Sequence, residues 1–377
     1  MTGIYVHIPF CLSRCIYCGF YSTVAGKSLQ ERYIEAVKKE LETKTKTKTK
    51  TKTKTKTGTF TIYFGGGTPS VLEPHLLADL TKAIKQAFTL ANHDIAEFTV
   101  ECNPDDITPH LIENLKDMGV NRISMGVQTF SNERLRFLRR RHMAEQIPLA
   151  MSTLRKAGIE NISIDLMFGF PYESLEDWQS DLRQALSLHP THLSAYSLMY
   201  EEGTPLHQML TEGKINESDE ETCRQMYETL IDTLTSAGYE HYEISNFALP
   251  GYRALHNSLY WNDSPYIGLG ASAHSYDHCT RSWNVSNVEQ YIRDAAGSRQ
   301  GETIDPLTHY NDTVTTALRT REGIDTTKVE EPYRTYLLKN AREGIRQGNL
   351  VMENNHLHLT RKGLFISDDV MSNLIKV

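Results

Sequence analysis

Three cysteines near the start of the chain, Cys11, Cys15 and Cys18, have the spacing of iron–sulfur cluster ligands. A C-x3-C-x2-C run supplies three thiolates from one short loop, whereas a cubane held entirely by protein needs a fourth cysteine nearby. One iron would therefore have no protein ligand and could bind a small molecule directly. A structural zinc is the alternative, with His7 or Cys102 as the fourth ligand. Because the run lacks the paired C-x2-C spacing of most zinc sites, we favour the cluster.

The same spacing resembles the cysteine motif of the radical-SAM superfamily. The resemblance implies a [4Fe-4S] cluster whose open iron is chelated by the amino and carboxylate groups of S-adenosylmethionine (SAM). It also implies that an electron from the cluster can produce a 5′-deoxyadenosyl radical. Aromatic side chains at Phe10, Tyr17, Phe20 and Tyr21 suit a cluster that is shielded from water.

Composition limits the classes of protein that this chain can belong to. It has 377 residues, of which 39% are hydrophobic, enough for a large α/β domain and a smaller one. The net charge of −7 argues against a nucleic-acid binder, since that function needs a basic face. We find neither a signal peptide nor an apolar run that could span a membrane, and Cys102, Cys223 and Cys279 are widely scattered. A cytoplasmic protein with buried free thiols is therefore expected.

Short β-branched or aromatic runs alternate with longer amphipathic segments as far as residue 247. Strands are predicted at residues 4–8, 59–64, 95–100, 122–127, 162–168 and 193–198, with a seventh possible at 242–245. Thr108-Pro109 reads as a helix start, and Gly119 and Gly158 lie where helices should end. Alternation of this kind predicts parallel strands with right-handed crossovers, and six units favour a partial (β/α)6 barrel over a closed barrel of eight.

Residues that could bind a cofactor or take part in catalysis follow the predicted strands. They would lie at the carboxyl-end rim, where the active sites of barrel proteins are found. The cysteine loop follows the first strand and the glycine run 65–67 follows the second; Glu101 and Asn103 follow the third. Glycines at a strand-to-helix turn let a ligand approach the backbone closely, and the alternative is that the run forms only a tight turn. Glu101, Gln128, Arg140 and Asp165 are the polar groups available for a cofactor, or else ordinary salt-bridge partners.

Five segments, at residues 5–11, 65–70, 100–104, 124–130 and 164–171, resemble the oxygen-independent coproporphyrinogen III oxidase (HemN-like) family, and its HemW branch in particular. The likeness covers nearly the whole chain. It implies that Cys11, Cys15 and Cys18 hold the cluster. It further implies SAM contacts from Tyr5, Gly66, Gly67, Thr68, Glu101, Gln128, Arg140 and Asp165.

Two departures from the oxidase pattern weigh against porphyrinogen decarboxylation. The oxidase motif has a further cysteine two positions after its third, where this chain has Phe20. The oxidase also has a long extension before its motif, whereas ten residues precede Cys11 here.

A second motif, His256-Asn-Ser-Leu-Tyr-Trp261, matches the H-N-x-x-Y-W signature that the resemblance associates with haem binding. A neutral imidazole at His256 is a good axial ligand for haem iron, and Tyr260 and Trp261 offer flat apolar surface to the macrocycle. The alternative is a core histidine in an aromatic loop. The other histidines outside the cysteine motif, including His192 and His274, are expected to be structural or exposed.

The remaining segments complete the predicted organisation. Residues 43–57 alternate Thr and Lys strictly, which predicts an exposed loop with at most peripheral attraction to anionic lipid. Helices at 287–296 and 332–347, followed by a hairpin at 350–359 that turns at Asn354-Asn355, indicate a winged-helix-like unit. We divide the chain into a barrel at 1–247, a connector carrying the haem motif at 248–284, and a C-terminal domain at 285–377.

The primary hypothesis is a haem chaperone that binds a [4Fe-4S] cluster, SAM and haem and delivers haem to respiratory haem proteins. Productive catalysis need not be its main task, and a homodimer is compatible with it. One rival is the oxygen-independent coproporphyrinogen III oxidase itself, and the other is a zinc-stabilised structural or regulatory protein.

Overall fold

Strands and helices alternate through most of the chain. The computed structural model describes residues 1–50, 59–91, 94–294 and 299–377. The strands are β1 Thr2–Ile8, β2 Phe60–Gly66, β3 Ile95–Cys102, β4 Arg122–Gln128, β5 Asn161–Phe168, β6 His192–Ser197, β7 Glu240–Glu243, β8 Asn246–Ala248, β9 Tyr266–Leu269, β10 His274–Tyr276, β11 Thr280–Asn284, β12 Arg299–Thr303, β13 Ile324–Asp325, β14 Leu350–Glu353 and β15 His356–Leu359. The helices are α1 Lys27–Lys50, α2 Pro74–Phe88, α3 Pro109–Met118, α4 Asn132–Phe137, α5 Gln146–Lys156, α6 Leu175–Ser187, α7 Pro205–Thr211, α8 Glu220–Ser236, α9 Leu255–Trp261, α10 Val288–Arg293, α11 Pro306–Ala317, α12 Tyr333–Arg346, α13 Arg361–Phe365 and α14 Ser367–Ser372.

Strands β1 to β6 are parallel and lie side by side in chain order. All six predicted strands are present, with bounds that differ by two residues at most. Helices connect them, so the predicted parallel (β/α)6 architecture is confirmed. Thr108 caps α3 by accepting a hydrogen bond from the backbone N–H of Leu111, and Gly119 ends that helix with a φ of 85°. Both local signals therefore had the structural meaning expected of them.

Because side chains alternate between the two faces of each strand, the outer face of the sheet is apolar and the inner face is polar. Ile4, Val6 and Ile8 of β1 belong to the main hydrophobic core, where helices cover the sheet. Tyr5 and His7 alternate with them and therefore point to the inner face of the sheet. The inner positions of the other parallel strands are also mostly polar, which equips the barrel for chemistry rather than for a dry core.

The seventh strand differs from the prediction. Residues 240–243 form β7 rather than 242–245, and β7 pairs antiparallel with β8, which itself pairs antiparallel with β6. The parallel series therefore ends at β6. A connection as short as residues 244–245 allows only a hairpin, because a parallel crossover needs a dozen residues or more.

A second group of strands extends the sheet on the other side of β1. Strand β9 is parallel to β1, and β10, β11 and β12 continue outwards in antiparallel order. The sheet thus runs across both of the predicted domain boundaries, after 247 and after 284. The segment 248–284, expected to be a connector, supplies three strands of the main sheet, because its residues 266–269 complete the free edge of β1.

The buried carboxylate of Glu40 fastens this extension to α1. Its two oxygens accept from the backbone N–H of Gly270 at 2.9 Å, from the Asn284 amide at 2.8 Å and from the Tyr291 hydroxyl at 2.6 Å. The ammonium of Lys44 lies 2.7 Å away, one helical turn along α1. A single charged side chain therefore connects α1, the loop after β9, β11 and α10.

The Thr-Lys repeat begins inside α1 and not in a loop. Residues 43–50 are helical, and 12% of the Lys44 side chain is exposed because it packs against β9 and pairs with Glu40. The prediction of a loop is wrong for residues 43–50, which are helical, and the prediction of exposure is wrong for Lys44, because the buried Glu40 carboxylate compensates its charge. Residues 51–57 of the repeat lie outside the described residues. In the part of the chain that the structure describes, we find no helix whose length and apolarity would let it cross a bilayer.

The C-terminal residues build a small unit with its own core. Leu318, Ile324, Leu337 and Leu357 are fully or almost fully buried there. Strands β13, β15 and β14 form a separate three-stranded antiparallel sheet. The predicted hairpin is confirmed, and both residues of the Asn354-Asn355 turn have positive φ, as a tight hairpin turn requires. Of the predicted helix at 287–296, residues 288–293 form α10, and residues 295–296 lie outside the described residues.

Candidate functional site

The cysteine loop lies at the carboxyl end of β1, before α1. Cys11, Cys15 and Cys18 are free thiols, each partly buried. The backbone closes the loop, because Cys11 N–H donates to Thr23 O at 3.0 Å and Thr23 N–H donates to Pro9 O at 2.7 Å. The three thiols are therefore carried on a backbone that is already fastened to the rim of the barrel.

Two side chains of the rim contact the thiols. The hydroxyl of Thr68 lies 3.6 Å from the sulfur of Cys11, and Nη1 of Arg140 lies 3.5 Å from that of Cys15. Burial raises the pKa of the Cys11 and Cys18 thiols above the ordinary value. Since metals bind the thiolate, cluster assembly must release these protons. The guanidinium of Arg140 supplies positive charge beside the site.

The donor set fits a cubane cluster. Among the described residues, no three His, Cys, Asp or Glu side chains lie close enough to hold one metal ion together. A cubane does not require such convergence, because each thiolate binds a different iron of the cage. Aromatic side chains line the loop, and the Tyr17 hydroxyl is buried against Arg140 and Cys15, so that burial raises its pKa. Soft thiolate donors, a buried cation and aromatic cover together suit an iron–sulfur cluster.

The glycines 65–67 are required by close packing at the end of β2. A β-carbon on Gly66 would lie 2.5 Å from the His7 ring, and one on Gly67 would lie 2.8 Å from the carbonyl oxygen of Phe10. Their amides are already used: Gly66 N–H donates to Glu101, Gly67 N–H to Ile8 O and Thr68 N–H to Phe10 O. Any contact with the ammonium of a ligand would therefore come from backbone carbonyls.

Glu101 lies inside the barrel next to this glycine run. Its carboxylate accepts from the Tyr63 hydroxyl at 2.7 Å and from the N–H of Gly66 at 3.0 Å. Burial raises the pKa of Glu101 to about 7, against the opposing effect of the Tyr63 hydrogen bond. Tyr5 lies on the adjacent strand, with its ring centroid 6.0 Å from that of Tyr63. This carboxyl group is therefore poised to change charge near neutral pH.

Arg140 contacts three other segments of the site. Its Nη2 donates to the side-chain oxygen of Asn103 at 2.5 Å and to Gly126 O at 2.6 Å, while Nη1 faces Cys15. Its Nε has no hydrogen-bond partner among the described residues, although it is buried. Gln128 follows on β4 with a φ of 68°, at an irregularity in the pairing with β5. A bulge re-aims the side chain at its end, and the Gln128 amide lies beside Gly126, where a β-carbon would be 3.0 Å from its Nε2.

Asp165 completes the ring of polar groups on β5. Its carboxylate accepts from the Ser124 hydroxyl at 3.4 Å, and burial raises its pKa despite the nearby charge of Arg122. The predicted residues Glu101, Gln128, Arg140 and Asp165 thus share the inner face and rim with the cysteine loop. Strand order alone predicted this position for Glu101, Gln128 and Asp165, whereas Arg140 lies in the loop between α4 and α5.

The predicted haem motif forms α9, which enters the barrel from the amino ends of the strands. Glu97 of β3 accepts from the backbone N–H groups of Leu255 and His256 at 2.8 and 3.0 Å. The ring nitrogens of His256 are both bonded, Nδ1 to the Thr61 hydroxyl and Nε2 to the Tyr260 hydroxyl, each at 2.8 Å. His256 is 1% exposed, and burial lowers its pKa to about 3.

Neither nitrogen of His256 is therefore available to iron in this conformation. Coordination of haem by His256 would require its ring to break the hydrogen bonds to Thr61 and Tyr260. It would also require α9 to move away from the amino ends of the strands. Trp261 is likewise held by the protein, because the guanidinium of Arg319 lies 4.9 Å from its ring centre. His256 is enclosed in this structure, and the ligand role of the motif stays a prediction.

The sequence analysis did not identify Tyr63, and it placed Asn103 at the rim without giving it a role. Tyr63 donates to Glu101, and Asn103 accepts from Arg140. Tyr63 could have been found, because it lies two positions before Gly65 on the inward-facing side of β2. The contact between Asn103 and Arg140 joins distant segments, and no local pattern indicates it.

Two family models match the chain. Residues 5–185 match the model described as the Radical SAM superfamily, and residues 304–366 match the HemN C-terminal domain. The second match falls in the small unit that begins near α11, which agrees with the separate core found there.

Similar proteins have been named in several bacteria. The chain is 34% identical to the heme chaperone HemW of Lactococcus lactis over 99% of this chain and 97% of that protein. It is 36% identical to the heme chaperone HemW of Bacillus subtilis over 78% of this chain and 75% of that protein. Among solved structures, coproporphyrinogen III oxidase (HemN) of Escherichia coli, a radical SAM enzyme, aligns with a TM-score of 0.84. That alignment covers 100% of this chain and 90% of HemN at 22% identity, so it demonstrates a shared fold.

Proposed function

The chain belongs to the HemW family of radical-SAM proteins, and from that membership we propose that it is a haem chaperone. The observation that carries the proposal is the 34% identity to a heme chaperone across 99% of this chain. The similarity thus includes the cysteine loop, the α9 motif and the C-terminal unit together. In this proposal the protein is cytoplasmic. It binds haem and delivers it to respiratory haem proteins.

We further propose that Cys11, Cys15 and Cys18 hold a [4Fe-4S] cluster with one open iron. The support is the closed loop at the rim and the cation of Arg140 beside Cys15. When bound, such a cluster supplies one-electron chemistry and an iron site for the amino and carboxylate groups of SAM. Arg140 places positive charge 3.5 Å from the sulfur of Cys15, and the buried Phe10 ring shields one side of the loop from water.

The proposed SAM contacts are the inner-face residues Tyr5, Gly66, Gly67, Thr68, Glu101, Gln128, Arg140 and Asp165. We infer the role of each residue from its hydrogen-bond donors and acceptors that are not already used within the protein. The carbonyls of the glycine run accept from the ammonium, because the neighbouring N–H groups are already donated. Glu101 and Asp165 accept from hydroxyl groups, and Arg140 faces the carboxylate with its unpaired Nε.

The haem role rests on the family and on the motif His256, Tyr260 and Trp261. With α9 closed, Tyr260 is the member of the motif that lines an accessible cavity, whereas His256 holds the Tyr260 hydroxyl from behind. The same proposal includes haem-protein acceptors, a homodimer and at most peripheral attraction to a membrane, each of which a binding measurement with that partner tests.

A second candidate function is the oxygen-independent oxidation of coproporphyrinogen III. The observation in its favour is the fold shared with HemN over the full length of the chain. Against it, Phe20 stands where the oxidase pattern has a further cysteine, and 73% of Phe20 is exposed. An anaerobic, SAM-dependent assay that yields protoporphyrinogen from coproporphyrinogen would favour the oxidase.

The test of the chaperone proposal is an oxygen-free reconstitution followed by haem titration with and without SAM. We expect iron and sulfide in the protein, broad absorption near ~400 nm, a saturable Soret change on haem addition and transfer of haem to an apo-haem protein. Tightly bound zinc without sulfide would support the structural alternative instead. A reconstituted protein that neither retains nor transfers haem would refute the chaperone role.

A further inference from the structure

Three histidines lie near the inner faces of β1, β9 and β10, and their ring nitrogens differ in availability. His7 is bonded through Nδ1 to the Tyr5 hydroxyl at 3.0 Å and through Nε2 to Tyr21 O at 2.9 Å. His256 uses both nitrogens as described above. His274, the first residue of β10, is exposed, and its imidazole has no hydrogen bond or ion pair with any residue that the structure describes.

The His274 ring borders an aromatic cavity of about 320 Å³ between the cysteine loop and the extension of the sheet. Its lining residues are Tyr5, His7, Phe20, Tyr21, Tyr260, Tyr266, Ser272 and His274. The cavity opens to solvent at Phe20 and His274, both of which are exposed. A flat apolar ligand could therefore enter from outside without any movement of α9.

The strand pairing explains how His274 comes to this wall. Tyr276 pairs with Tyr266 across β10 and β9, so these two side chains share a face of the sheet. His274 lies two residues before Tyr276 and therefore points to that same face. Its ring is stacked with Trp283 of β11 at a centroid distance of 5.8 Å and an angle of 24°. The imidazole is thus oriented by a neighbour while its nitrogens stay open.

We propose that haem occupies this aromatic cavity with His274 as an axial ligand of its iron. The assignment rests on the chaperone function proposed above and names the haem-contacting residue for it. Tyr260, Tyr266 and Tyr21 provide flat walls against which the macrocycle packs.

The α9 motif has a positioning role in this arrangement. Nε2 of His256 bonds the Tyr260 hydroxyl at 2.8 Å, and the Tyr260 ring packs edge-on against Tyr266 at 4.7 Å between centroids. His256 therefore orients one cavity wall from the protein interior. In this arrangement the motif contributes to haem binding through Tyr260, although its histidine is buried.

The protonation state of His274 agrees with this role. Partial burial, and then the positive charge of Arg281, lower the pKa of His274 below the ordinary value. The imidazole is therefore neutral at pH 7, which is the form that binds metal. The phenyl ring of Phe20 lies two residues from Cys18, so the same cavity adjoins the proposed cluster loop.

Haem titration of three histidine variants of the full chain tests the assignment. His274→Ala should weaken haem binding by at least about tenfold and move the Soret band, and added imidazole should restore its position. His274→Met keeps a ligand for haem iron and should retain binding with a different spectrum. His256→Ala should weaken binding while leaving the Soret position unchanged. His110→Ala, on the outer helix α3, serves as the matched control.

The outcomes separate this assignment from the function on which it rests. If wild-type protein binds no haem, the chaperone proposal fails, and with it this assignment. If wild-type and His274→Ala proteins give the same affinity and spectrum while His256→Ala loses the Soret change, α9 opens and His256 is the ligand. If His274→Ala alters SAM affinity but not haem affinity, the cavity belongs to the SAM site. Either of the last two results would overturn the assignment without affecting the chaperone proposal.

Discussion

Replacing Glu40 with alanine should destabilise the protein by about 3–5 kcal/mol, the usual cost of removing one partner from a buried ion pair. Glu40 is 2% exposed, and its oxygens accept from Gly270 N–H, Asn284 and Tyr291 and pair with Lys44. The alanine variant removes that acceptor from four donors at once, including a largely buried ammonium group. Because domains are stable by only about 5–15 kcal/mol, the loss is roughly a fifth or more of the total.

Urea denaturation followed by tryptophan fluorescence measures the change in the free energy of unfolding, and hydrogen exchange locates it. Exchange should accelerate most in β9 and β11, because the Gly270 and Asn284 contacts hold those strands to α1. Glu289→Ala is the control: Glu289 pairs with Arg32 at 3.1 Å, but about half of each side chain is exposed. That variant should cost no more than about 1 kcal/mol. Equal stabilities of the Glu40 and Glu289 variants would refute the view that Glu40 anchors the extension.

Three further predictions concern the rim. Arg140→Gln should lower SAM affinity and cluster retention, because it removes the positive charge beside Cys15. Equilibrium SAM binding measures the first effect and iron analysis the second. Unchanged values would contradict a role of Arg140 in holding the cluster and SAM. Burial raises the pKa of Glu101 to about 7, so if the ionised form receives SAM, affinity should fall by up to ~tenfold per pH unit below that value. The Glu101→Gln variant should lose this dependence, and a persisting slope would point to another group. Cys15→Ser should lose most of its iron on anaerobic reconstitution, whereas Cys102→Ser, at a buried thiol away from the motif, should match the wild type in iron and sulfide content.

Much of the fold was accessible from the sequence because its signals are local. Short β-branched or aromatic runs separated by amphipathic segments mark the parallel strands, and all six strands were predicted within two residues of their true ends. Strand order then brought Glu101, Gln128 and Asp165 to one rim without knowledge of any contact. The reasoning worked because a barrel converts position along the chain into position around a ring.

The rest depended on contacts between distant segments. Pairing of β9 with β1 joins residues 266–269 to residues 3–6, and periodicity carries no information on such partners. The helical start of the Thr-Lys repeat depends on the burial of Lys44 against β9, which no local rule predicts. The enclosure of His256 likewise depends on Thr61, far away in the sequence. A ligand motif identifies residue types, but only the packed structure tells which nitrogen is free.

The position of β1 between β2 and β9 has a consequence for biosynthesis. On the ribosome β1 emerges first, while its neighbour at residues 266–269 is translated much later, after a delay on the order of ten seconds or more. During that interval one edge of β1 is open to wrong partners, together with the adjoining sulfur-bearing loop. Nascent chains should therefore be most vulnerable to oxygen and to aggregation before β9 arrives, and metal loading should follow release of the finished polypeptide.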